Sequence, residues 1–304
     1  MAKPRLVQAG IGSTRPLVVV FHAASVVDAK LKAACGPRAC IVNYSAEPMK
    51  GNYRTVGENG LPSVVDIGRD MGAQVNAQEF DPVVVVGFSE GCMAIRAQLT
   101  YDMKRHATSI HGVVAVDGVH SSKPIPEAYT PAYNEQIQPW FQWLSFSDWG
   151  KNKTRASVFT HTLIDPPTYT SVRETLAFIF GVDSFGKGLN DDSPAVLQQE
   201  NVEVWSFPGN AAKDHSKQLL RQLPRALNRV LVLLGELDDN GPESQALEAL
   251  IAKGGGAPLD KIPAAPKPKT PNGGGGGSSS GVSWLPLALG LGAIAAVVYW
   301  WDDL

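Results

Sequence analysis

Three kinds of side chain that together can carry out acyl transfer stand far apart in this chain: a serine, a histidine and a carboxylate. Ser89 lies in the run Gly87-Phe88-Ser89-Glu90-Gly91. A serine hydroxyl is a weak nucleophile until a base takes its proton and a third group holds that base in the right tautomer. His215 is the candidate base, and Asp117 and Asp165 are the candidate carboxylates. The Gly-x-Ser-x-Gly spacing puts the serine on a sharp strand-to-helix turn with a strained backbone. Glycines two residues before and after it let neighbouring backbone pass without a side-chain collision. A helix opening at Glu90 aims free N–H groups and a partial positive charge at the same spot. The Glu90 amide is therefore a candidate donor to an oxyanion formed on attack.

The motif means little without its context, a strand before and a helix after. Val83 to Val86 form a continuous apolar run too short for a helix, as expected of a central parallel strand buried on both faces. The small residues Cys92, Met93, Ala94, Ile95 and Ala97 follow and suit a helix packed on that sheet. Further strands are expected at Pro16–Phe21, Cys40–Tyr44, His111–Asp117, Ala156–His161 and Asn201–Phe207. Val64, Ile67, Met71 and Val75 recur at helical spacing after Pro62, and Ser171 with Glu174 makes a capping box for a helix through Phe180. Strands alternating with helices imply right-handed crossovers, hence an α/β fold with a mostly parallel sheet of about six strands flanked by helices.

In such a sheet the loops beyond the strand C-termini build the ligand site. Ala23 or Ala24, just past the first apolar strand, is then placed to offer a second oxyanion N–H. His22 and His120 fall in the same set of loops, as substrate contacts or as structural histidines. Asp117 ends one strand and Asp165 follows another, while His215 is expected on a loop before a helix opened by Ser216 and running to about Gly235. Residues 121–154 break the rhythm with four prolines and an aromatic density that includes Trp140 and Trp143. They are read as a cap whose rings bind an apolar substrate, or as a small satellite core under a long loop.

The net charge of -2 lacks the basic excess that a nucleic-acid partner demands. Cys35, Cys40 and Cys92 have no metal-ligand spacing, so neither a metal nor a cofactor is expected. The N-terminus shows no apolar run of the secretory kind. After a domain spanning 1–253, residues 254–283 are Gly-, Pro- and Ser-rich and read as a flexible linker. Residues 284–301 carry no charge and have aromatics at both ends. As a helix they would rise about 27 Å, enough for a single-pass membrane anchor; the other reading is a tail packed on protein. Lys267 and Lys269 before the span place the globular domain on the cytoplasmic side.

GFSEG at 87–91, the strand-end carboxylates and the DHSKQL segment around His215 together resemble the α/β-hydrolase superfamily of esterase- and lipase-like serine hydrolases, over about residues 16–236. The resemblance implies a serine nucleophile at Ser89 and an oxyanion hole from the Glu90 N–H and one near Ala23. The early loop departs from the usual His-Gly-Gly pattern, since His22 is followed by Ala23 and Ala24. In that superfamily the acid usually follows the penultimate strand, which points to Asp165. Some members place it after the strand next to the serine, which points to Asp117. The implied activity is hydrolysis of a small-molecule or lipid-like acyl ester or thioester through an acyl-enzyme. A peptidase or amidase, and an inactive scaffold of the same fold, are the alternatives.

Overall fold

The computed structural model describes residues 4–23, 25–44, 55–57, 60–105, 109–122, 131–166 and 169–253, without the side chains of 131–134. Eight strands form one sheet: β1 (Arg5–Gln8), β2 (Thr14–Phe21), β3 (Cys40–Tyr44), β4 (Glu79–Phe88), β5 (Gly112–Val116), β7 (Ala156–His161), β9 (Ala195–Gln199) and β10 (Val202–Ser206). The short strands β6 (Ser121–Ser122) and β8 (Tyr169–Thr170) pair separately. The order across the main sheet is β1-β3-β2-β4-β5-β7-β10-β9. The six inner strands are parallel, and β1 and β9 run antiparallel at the two edges.

The helices are α1 (Asp28–Cys35), α2 (Val64–Val75), α3 (Gly91–Lys104), α4 (Pro131–Phe146), α5 (Val172–Phe180), α6 (Ala212–Lys217), α7 (Leu223–Leu233) and α8 (Pro242–Lys253). They cover both faces of the sheet. Val83 and Val85 of β4 join one core with Ile67 of α2, Ile95 of α3, Trp140 of α4 and Leu176 of α5. Val84 and Val86 point the other way, into a core with Leu31 of α1, Leu227 of α7 and Leu247 of α8. This two-sided burial is why β4 shows no polar alternation, and each buried valine contributes about 1.5 kcal/mol or more. A charge at Val85 would be stranded in the centre of the sheet.

Local signals stop and start the helices as their residue types require. The Ser63 hydroxyl accepts the Asp66 N–H at the head of α2, and Asn76 ends that helix in the left-handed region at φ 54°. At α5 the Ser171 hydroxyl takes the Glu174 N–H while the Glu174 carboxylate takes the Ser171 N–H, completing the box.

Two readings of the sequence need correction here. The aromatic stretch is not a cap in its described part: α4 lies on the sheet as the crossover helix between β5 and β7, and residues 123–130 lie outside the described set. Trp140 and Trp143 are 2% and 1% exposed, and the Trp143 indole N–H donates to Ser157 Oγ at 2.6 Å, so both rings are core and cannot touch a substrate. They were drawn to the site by composition alone, and composition does not tell a buried ring from a cleft-lining one.

The linker and the candidate membrane span, 254–283 and 284–301, also lie outside the described residues. Among the described residues no helix is long and apolar enough to cross a membrane.

Candidate active site

A local conformational demand sits where β4 gives way to α3. Ser89 holds φ at 52°, a left-handed backbone that a non-glycine residue adopts only under constraint. The constraint is visible. The Ser89 N–H donates to Val116 O at 2.9 Å, and Ser89 O accepts the Cys92 N–H at 3.0 Å. A Cβ at Gly87 would stand 2.7 Å from the carbonyl carbon of Gly91, and one at Gly91 would collide with the Phe21 carbonyl. Neither glycine can be replaced without moving β2 or the head of α3, so the motif's spacing is a packing requirement.

Asp117 emerges at the end of β5, the strand beside β4, also in the left-handed region at φ 46°. Its N–H is held by Thr160 O at 3.0 Å. Its carboxylate is 3% exposed, and Oδ2 lies 2.7 Å from Nδ1 of His215. A buried carboxylate against a half-exposed imidazole is the arrangement that fixes which ring nitrogen carries the proton. With Nδ1–H directed at Asp117, Nε2 is left as the basic nitrogen. The His215 ring also packs on Phe88, the residue before Ser89, with ring centroids 4.6 Å apart.

His215 is not on a loop. It is the fourth residue of α6, because the Asp214 carboxylate accepts the Ala211 N–H at 3.0 Å and starts the helix several residues before Ser216. A π-type turn at Gln218–Gln222 then carries the chain into α7. The single long helix expected from Ser216 is thus two helices joined by that turn.

On the other side of the corner, Ala23 follows β2 and is held by Asn43 of β3, whose Nδ2 donates to Ala23 O at 2.8 Å. Among the described residues no acceptor takes the N–H of Ala23 or of Glu90. Two amides that no described residue accepts, one of them next to the serine in sequence, match what an oxyanion requires. Ala24 lies outside the described residues.

No protein-family model matches the chain, and no curated protein matches it. Solved structures do, at low similarity. An IroE-like serine hydrolase from Shewanella oneidensis is 12% identical with a TM-score of 0.42, covering 80% of this chain and 84% of that one. The type II thioesterase BorB of the borrelidin biosynthetic cluster is 11% identical with a TM-score of 0.39, covering 76% and 97%. The type II thioesterase YbtT of the yersiniabactin NRPS/PKS pathway is 9% identical with a TM-score of 0.35, covering 76% and 98%.

The remaining sequence candidates fall into two groups. His22, at φ 62° after β2, stacks on Phe88 with ring centroids 6.3 Å apart. Burial holds its imidazole below the usual range. His120 stands edge-on to Tyr169 and sets Nδ1 3.3 Å from Thr170 O; burial lowers its titration as well. Both rings border the corner. Asp165 is exposed and sits in the loop after β7, and the partner of His215 Nδ1 is Asp117.

Sequence reasoning missed Thr162. Its N–H donates to Asp117 Oδ1 at 3.0 Å, and its hydroxyl lies 3.0 Å from Oδ2 and 3.2 Å from Oδ1. The available signal was its position, the first residue past the strand next to the one that ends in Asp117.

Proposed function

We propose that the chain is a serine hydrolase acting on acyl esters or thioesters, with Ser89 as nucleophile, His215 as general base and Asp117 as the orienting acid. The observation that carries this reading is the 2.7 Å contact of His215 Nδ1 with Asp117 Oδ2, beside a corner that strains its serine to φ 52°. Ser89 Oγ attacks the acyl carbonyl carbon while its proton passes to His215 Nε2. The Glu90 and Ala23 amides take the oxyanion; the Ser89 amide does not, because it is committed to Val116 O. The imidazolium then protonates the leaving alkoxide or thiolate. Water, deprotonated by the same Nε2, releases the acid from Ser89. The His22 and His120 rings and Phe88 border the acyl group.

A fluorophosphonate probe tests the assignment, since Ser89 Oγ would attack phosphorus and expel fluoride. Labelling of the full chain, absent in Ser89→Ala, is the expected result; no labelling of either would point to a scaffold of the same fold. A comparison of p-nitrophenyl esters, acyl thioesters and peptide anilides separates an esterase from an amidase. We also propose that 284–301, behind the linker 254–283, anchors the domain to a membrane, supported by the uncharged run with terminal aromatics. Recovery of the intact chain with membranes, and of a chain ending at residue 253 in the soluble fraction, is the expected outcome.

A further inference from the structure

The Asp117 carboxylate and Thr162 are both nearly sealed from water, at 3% and 2% exposed. An ionised carboxylate in such a place must be met by donors, and the way they are arranged decides where its second oxygen points. Two of the donors belong to one residue. The Thr162 N–H takes Oδ1 at 3.0 Å, and the Thr162 hydroxyl sits in the fork, 3.2 Å from Oδ1 and 3.0 Å from Oδ2. The Ile164 N–H approaches the same hydroxyl oxygen at 3.5 Å, so the hydroxyl is an acceptor on that side and its proton goes to the carboxylate.

Thr162 is itself fixed from behind. It follows His161, whose Nε2 lies 2.7 Å from Ser206 Oγ and whose Nδ1 lies 3.1 Å from Thr162 O. The next residue is pinned as well, with the Leu163 N–H on Gly209 O at 2.7 Å. The end of β7 therefore grips Asp117 twice, by its backbone through Thr160 O and by its carboxylate through Thr162. A β-branched side chain, restricted at χ1, is a stiff lever for this purpose.

We propose that Thr162 is the positioning residue of the site: its hydroxyl turns the Asp117 carboxylate so that Oδ2 meets His215 Nδ1. The catalytic consequence rests on the hydrolase reading above, whereas the geometric claim does not. A residue that merely satisfied a buried carboxylate could be lost without disturbing the Asp117–His215 contact. A positioning residue could not, since the Thr162 N–H holds Oδ1 alone and the aim of Oδ2 is left to the hydroxyl.

The test is proton NMR of the full chain at low temperature, where a strongly hydrogen-bonded imidazole N–H resonates far downfield. Wild type is expected to show such a proton, assigned by its loss in His215→Gln and joined to the Thr162 hydroxyl by an Overhauser contact. Thr162→Val keeps the shape and the backbone N–H but removes the hydroxyl; its downfield proton is expected to move upfield or to broaden by exchange. Thr162→Ser restores the hydroxyl and is expected to restore the signal.

An unmoved downfield proton in Thr162→Val, or no such proton in wild type, overturns the proposal. If the valine variant does not fold, the wild-type Overhauser contact decides, and its absence is also fatal. In parallel, fluorophosphonate labelling is expected to slow by roughly 10- to 100-fold in Thr162→Val and to recover in Thr162→Ser. A wild type that shows the downfield proton but takes no label would end the hydrolase reading and leave the positioning claim standing.

Discussion

Among the described residues two serine–histidine arrangements stand out, and they are opposites. Ser206 and His161 meet at 2.7 Å inside the sheet, at 1% and 0% exposed. Ser89 and His215 stand at the open end of the strands, with the His215 side chain 30% exposed and backed by a buried carboxylate. The inner pair is already in hydrogen-bond contact and has no use for it. No ligand can reach Ser206, Nδ1 of His161 faces a neutral carbonyl, and burial pushes that imidazole down to about 4. An imidazole that weakly basic cannot take a serine proton near neutral pH. The outer pair has access, an anionic partner and strained backbone. Residue types are common to both pairs; access and the third group separate them.

The largest effect expected from breaking this contrast is at Ser89. Ser89→Ala should abolish turnover of activated esters and covalent labelling, a fall of at least about 10³-fold with the fold unchanged by circular dichroism. Asp117→Asn comes next. It leaves a neutral amide against His215 Nδ1 and permits the wrong tautomer, so kcat/KM should fall by about 10³- to 10⁴-fold with little change in Tm. Equal turnover in Asp117→Asn and wild type would remove the acid from the outer pair and erase the distinction drawn above.

The inner pair should answer in stability instead of rate. His161 titrates near 4 when folded against its ordinary 6.5, so the unfolded chain takes up the proton first as the solution is acidified. The stabilisation is complete above about pH 6.5 and is eroded progressively down to about pH 4, by an amount on the order of 3 kcal/mol. In His161→Gln the amide oxygen can still accept from Ser206 but does not titrate. Its Tm should therefore fall less than that of wild type between pH 6.5 and 4. A variant with an unchanged slope would show that His161 is not the group responsible.

How much of this could be read beforehand differed by region. The six parallel strands declared themselves because two-sided burial demands continuous apolar runs such as Val83 to Val86. The edge strands did not: β9 pairs on one side only and ends in two consecutive exposed glutamines, so AVLQQ carries no strand signal. The corner at Ser89 was legible because a glycine pattern records close backbone approach, which is local in sequence. Thr162 and Asn43 were not, because each acts through a contact with a residue 45 or 20 positions away, and only the sheet order creates those contacts. The helical start before His215 was hidden for a smaller reason: Asp214 caps Ala211, whereas Ser216 only looked like a cap.

The smallest expected effect concerns the carboxylate that the sequence could not separate from Asp117. Asp165 also follows a parallel strand, and the superfamily pattern favours it. Three features of the fold argue that it is outside the outer pair. It is exposed, so its charge is screened by water, and an exposed pair is worth at most about 1 kcal/mol. The loop that carries it is tied near its start to the loop after β10, through the Leu163 N–H on Gly209 O, which limits how far it can swing. And His215 Nδ1 has a single proton to give, already directed to Asp117 at 2.7 Å. Asp165→Asn should then keep kcat and KM within about twofold of wild type across the pH range, and a fluorophosphonate should label it at the wild-type rate. If instead Asp165→Asn loses activity while Asp117→Asn keeps it, then His215 turns to the other carboxylate during turnover, and the 2.7 Å contact describes only its resting state.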